Sequence, residues 1–93
     1  MDVGTLDEVL RALSHPDRRS FVRACLDEER SAGDLAALSK LSLPSVSEHL
    51  KVLRKSGLLV LERRGRYWMY RTDAALVERV AAAITALGAR YGT

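Results

Sequence analysis

Apolar residues recur along this chain at two periods, and the change of period divides it into elements. Val3, Leu6, Leu10 and Leu13 step by three, four and three, which aligns them on one face of a helix. The run "SHPDRR" interrupts that stripe. Pro16 suits the first turn of a second helix, with His15 or Ser14 as its cap, and Phe21, Val22, Cys25 and Leu26 turn inward before a stop near "DEERS". A short third helix is expected around "AGDLAALS". Ser42 then caps a fourth, in which Pro44 is tolerated because first-turn N–H groups lack intrahelical partners. That helix ends at Gly57. Next come two β-prone runs flanking "RRGR", where Gly65 can supply a positive φ, so the pattern predicts a hairpin. The final segment "DAALVERVAAAITALGARY" returns to helical spacing, with Val77, Val80, Ile84, Leu87 and Tyr91 stepping by three and four. The expected fold class is mainly α with a small β-hairpin, in the order α-α-α-α-β-β-α.

Ninety-three residues, 47% of them hydrophobic, make one domain, residues 1–93, with enough apolar material for a single core. Domains this small are marginally stable alone, and both terminal helices carry apolar stripes, so a homodimer built from the two is expected. No run of about 18 apolar residues exists to cross a membrane. The start "MDVGTLDEVL" is acidic and unlike a signal peptide, and Cys25 is the single cysteine, so a cytoplasmic location without an intrachain disulfide is the default.

Charge changes the picture. The chain's net charge is only +3, yet residues 51–71 hold 7 Lys/Arg against 1 Asp/Glu, while residues 1–50 hold 6 against 9. A basic block of this kind is the footprint of a phosphate-backbone binder, although on charge alone a solvated basic face stays open. The fourth helix sharpens the choice. At about 100° per residue, Val46, Leu50 and Leu53 share one face, while Pro44, Glu48, Lys51 and Lys55 lie opposite, flanked by Ser45 and Ser47. Small polar groups near the start let a helix approach base edges in a major groove, and cations further along meet phosphates. Ser42, Leu43, Pro44, Ser45, Ser47, Glu48, Lys51 and Lys55 are therefore candidate DNA contacts. Arg63, Arg64 and Arg66 cluster at the hairpin tip, within reach of phosphates or a minor groove. A helix-turn-helix followed by a basic hairpin is a winged helix. The partner expected is double-stranded DNA; the rival is a winged-helix module that binds protein instead.

The residues "LSLPSVSEHLKVLRKSGLL" followed by "ERRGRYWMYR" resemble the ArsR/SmtB family of bacterial winged-helix repressors, supported by "ALSHPDRR" and "DLAALS". The resemblance spans Leu10 to Arg71. It implies a homodimer formed by the first and last helices, here through Val3, Leu6, Leu10, Leu13, Val77, Val80, Ile84, Leu87 and Tyr91, and repression by blocking promoter access. Three positions depart from the family's pattern. Ser39 and Lys40 stand where leucine and glycine are usual, and Glu48 stands where His or Arg is usual. Glu48 can accept from a cytosine amine or pair with Lys51 or Lys55.

Many members of that family sense metals, but the matching residues are missing here. The run "SAGDL" puts Ser31 and Gly33 where one site type has two cysteines, and the last helix carries Asp73 and Glu78 without a histidine. No metal, cofactor or enzymatic activity is expected, and the effector stays unknown. His15 is assigned to a helix start and His49 to a hydrogen bond within the helix-turn-helix. Cys25 is assigned to the core, with a redox sensor as the alternative. Trp68 and Tyr70 share a strand face and are expected in the core, with a small-molecule pocket as the alternative. No nucleophile–base arrangement is legible.

Overall fold

Four helices, a hairpin and a fifth helix follow one another in the computed structural model, which describes residues 1–90. They are α1 (Val3–Ala12), α2 (Pro16–Asp27), α3 (Ala32–Ser39), α4 (Leu43–Lys55), β1 (Leu59–Arg64), β2 (Tyr67–Thr72) and α5 (Ala74–Leu87). Local chemistry sets most of the boundaries. Asp2 accepts the Thr5 N–H at 3.0 Å to start α1, and His15 accepts the Asp17 N–H at 3.1 Å to start α2. Ser31 and Asp34 form a reciprocal capping box on α3, which satisfies two otherwise orphaned donors. Ser42 and Asp73 cap α4 and α5.

The α3–α4 connection is tight because Lys40 adopts a left-handed conformation, φ 61°, and donates its N–H to the Ala36 carbonyl. Only glycine enters that region without steric cost. Lys40→Gly is therefore expected to stabilise the fold by about 0.5–1 kcal/mol, seen as a higher urea midpoint with an unchanged slope. A lower midpoint would mean that the lysine side chain supports the turn.

The core gathers residues from all five helices and from β1. Val9 and Ala12 come from α1, Phe21 and Cys25 from α2, Leu35 from α3, and Val46, Leu50 and Leu53 from α4. Leu58, Leu59, Leu76 and Val80 close it. Burying a leucine contributes about 2 kcal/mol, so the α4 stripe alone holds that helix firmly against the body. Cys25 is 1% exposed, and burial pushes its thiol up to about 11. It is a protonated core residue at neutral pH, not a poised thiolate.

β1 and β2 pair antiparallel, Leu59 opposite Thr72 and Arg64 opposite Tyr67, and Gly65 turns between them at φ 63°. Two contacts root the hairpin. Thr72 donates its hydroxyl to the Val22 carbonyl at 2.6 Å, and Arg30 exchanges backbone hydrogen bonds with Tyr70 at 3.0 and 2.7 Å. Beyond Tyr70 the hairpin projects. Trp68, expected in the core, is instead 56% exposed. It does share a face with Tyr70 and Thr72, but the body covers only the inner part of that face.

The terminal helices differ from the expectation in detail. The face of α1 that enters the core carries Val9 and Ala12; Leu6 and Leu13 pack at its margin, and Val3 and Leu10 are exposed. On α5, Val80 is buried in the chain's own core together with Leu76, so it supports the fold rather than offering a free surface. Val77 packs at the core margin, whereas Ile84 is 49% and Leu87 81% exposed. Tyr91 lies outside the described residues. The helix touches the body through its first two turns and extends from it, giving the molecule dimensions of 52 × 24 × 21 Å.

Candidate nucleic-acid interface

Helix α4 is held by one buried stripe, and its opposite side is free. Val46, Leu50 and Leu53 lock it inward, while Ser42, Leu43, Pro44, Ser45, Ser47, Glu48, Lys51 and Lys55 are all exposed. Its start is preorganised: the Ser42 hydroxyl accepts the Ser45 N–H at 3.3 Å and donates to the Ser45 hydroxyl at 3.0 Å. Glu48 lies 3.7 Å from Lys51, an exposed pair worth little in water and free to open toward a base. Ser47 lies on the flank turned toward the hairpin.

A polar joint fixes the angle between α4 and the first two helices. Arg18 donates to the carbonyls of Ala12 at 2.7 Å and Arg11 at 3.2 Å, and its guanidinium lies 3.5 Å from Nδ1 of His49. The His15 and His49 rings lie 4.4 Å apart, tilted by 49°, with Phe21 edge-on to His49 at 6.1 Å. The sequence points to a hydrogen bond of His49 within the helix-turn-helix but carries no mark for Arg18, whose partners lie on two other elements, α1 and α4.

Burial, then the charges of His15 and Arg18, hold the His49 imidazole below its ordinary 6.5; Asp17 opposes them. As pH falls, the unfolded chain therefore takes this proton before the folded one does. The joint's contribution is complete above pH 6.5 and drains as pH drops through the lowered folded value. The urea midpoint is expected to fall between about pH 7.5 and about pH 5.5, and His49→Gln to flatten that fall. An equal fall in the variant would assign it to other groups.

His15, Asp17 and His49 also bring three metal-ligand side chains within 4.8 Å of one another, a grouping invisible in the sequence. Nδ1 of His15 already accepts the Asp17 N–H, however, and the Arg18 cation sits against His49. A metal there would have to displace the first contact and face the second.

The three arginines at the hairpin tip have different roles. Arg64 donates to Glu29 at 2.8 and 3.2 Å and also to Glu62, so two carboxylates hold it, and Glu29 ties the hairpin tip to the segment that follows α2. Glu62 is bonded to Arg71 as well, and these cations hold its carboxyl below the usual range. Arg63 lies over the Trp68 ring at 5.8 Å and donates to the Gly65 carbonyl. Arg66 is exposed without an ion-pair partner among the described residues. Of the three candidates, Arg63 and Arg66 are the ones available to a ligand.

A core-locked helix with a free polar face, preceded by a short helix and a tight turn and followed by a basic hairpin, defines a winged helix-turn-helix. Comparison with known proteins agrees. Residues 13–62 match the model of a helix-turn-helix domain family. The chain is 35% identical over 78 residues to the biofilm growth-associated repressor of Xylella fastidiosa, covering 83% of this chain and 68% of that protein. It is 38% identical over 64 residues to the transcriptional repressor SmtB of Mycobacterium tuberculosis, covering 69% of this chain but only 47% of SmtB. An ArsR-like transcriptional regulator from Rhodococcus sp. RHA1 superposes with a TM-score of 0.85 at 28% identity, covering 95% of this chain and 84% of that one. The chain belongs to the ArsR/SmtB family of helix-turn-helix transcriptional regulators. No helix among the described residues is long and apolar enough to cross a membrane.

Proposed function

We propose that this protein is a homodimeric repressor that binds an imperfect DNA palindrome. The observation that carries the reading is the free face of α4: small polar groups at its capped start, cations toward its end, and a core stripe that fixes its pose. The relatives are named repressors, which supports repression as the outcome. Dimerisation is supported by exposed Val3, Leu10, Ile84 and Leu87 on terminal helices that one chain leaves uncovered. A two-fold would set the two α4 helices in successive major grooves about 34 Å apart. Selection of bound duplexes from a random-sequence pool tests this. Enrichment of an inverted repeat with half-sites one helical turn apart is expected. No enrichment at all would favour a module that binds protein.

Metal-triggered release is not part of this function. Ser31 and Gly33 offer no thiolate, and α5 carries no imidazole. The His15–Asp17–His49 group is committed to the joint described above. Tenfold release would need an ion to prefer the DNA-free state by about 1.4 kcal/mol. Titration of the DNA complex with zinc, cadmium, nickel and arsenite at micromolar levels is expected to leave it intact. Selective, reversible release that His49→Gln or Cys25→Ser abolishes would overturn this.

A further inference from the structure

Between α4 and the hairpin lies a cleft of about 460 Å³ lined by Ser47, Lys51, Arg54, Lys55 and Tyr70. Three of these five residues are cationic and none is acidic. Several cations of the neighbouring segments are matched, Arg30 with Glu28, Arg64 with Glu29 and Glu62, and Arg71 with Glu62, although among the described residues Arg63 and Arg66 at the hairpin tip are not. Nor are those around the cleft. Arg54 and Lys55 have no ion-pair partner among the described residues, and Lys51 has only the exposed Glu48 at 3.7 Å. The C-terminal end of α4 favours cations in its last turn and so accounts for part of this pattern. It does not explain why Lys51, a turn earlier, and Ser47 converge on the same cleft.

We propose that this cleft is a phosphate seat, with Arg54 as a principal donor, and that a phosphodiester of the DNA backbone occupies it. The proposal rests on the DNA-binding reading above. If α4 enters a major groove and the hairpin reaches the adjacent minor groove, the backbone separating those grooves must pass between them. The cleft is where it passes. An arginine there presents several N–H donors to the phosphate oxygens, and Lys51 and Lys55 add charge. Arg54 was not singled out by the helix stripe, because it lies on the hairpin-side flank rather than opposite the core.

The test is a salt titration of binding to a mixed-sequence duplex of about 30 base pairs, since a phosphate contact does not depend on sequence. Arg54→Ala is expected to reduce the slope of log K against log salt by about 0.9 per protomer and to weaken all sequences equally. Arg54→Lys should retain the slope. Arg54 makes no side-chain bond, so thermal unfolding of both variants should match the wild type; a distorted but uninvolved helix would weaken binding without changing the slope. An unchanged slope in Arg54→Ala, with the wild type binding steeply, overturns the seat and leaves the DNA reading standing. Absence of wild-type binding overturns both. Inorganic phosphate, followed by NMR, should shift the cleft's amides weakly and be displaced by the duplex. Tight phosphate binding that persists on DNA would assign the cleft to a free anion and overturn the proposal.

Discussion

Ile84→Asp is expected to convert a dimer into monomers at micromolar concentration. Ile84 is 49% exposed on the outer part of α5, so the substitution leaves the chain's own core untouched. In a two-fold interface, each copy would bury an unpaired carboxylate, costing about 3 kcal/mol or more, which is roughly a hundredfold in the dissociation constant. Leu87→Asp should act in the same direction, because Leu87 is 81% exposed on the same helix. Analytical ultracentrifugation reads the effect directly. DNA affinity should fall with it, because two linked half-site readers gain effective concentration that separate monomers lack. A wild type that sediments as a monomer would defeat the dimer.

Glu48→Gln is expected to change which sequences are preferred rather than how strongly DNA is held. A carboxylate accepts from a cytosine amine, whereas an amide can also pair with adenine, so discrimination at the affected base pair should move by about 1–3 kcal/mol in each half-site. Repeating the duplex selection with the variant reads this. Arg66→Ala should behave oppositely, weakening every sequence alike and lowering the salt slope by about one per protomer. An unchanged selected sequence for Glu48→Gln would reduce Glu48 to the exposed partner of Lys51.

Much of the fold was legible because it is written in short-range chemistry. The run "AGDLAALS" is the observed α3, and Ser42, Pro16 and Gly65 mark a cap, a first turn and a hairpin turn where the spacing put them. What was not legible depends on residues far apart in the chain. Alternation placed Trp68 and Tyr70 on one face of β2 but could not say where the body ends, so Trp68 was assigned to the core and is exposed. Arg64 reads as a free cation until Glu29, 35 residues away, is seen to hold it. Periodicity likewise could not separate the buried half of the α5 stripe, Val80, from the exposed half, Ile84 and Leu87. Arg18 and Arg54 carried no distinguishing mark, since one acts through backbone carbonyls and the other lines a cleft formed by two elements.

The most direct test of the central claim is the affinity of the unmodified protein for duplex DNA across a range of salt. Lys51, Arg54, Lys55 and Arg66 from each protomer can together neutralise about six to eight phosphates. The account therefore predicts that log K falls linearly with log salt at a slope near −5 to −7. Binding that is absent at low salt, or present but insensitive to it, would contradict the assignment of α4 and the hairpin as a DNA-reading surface.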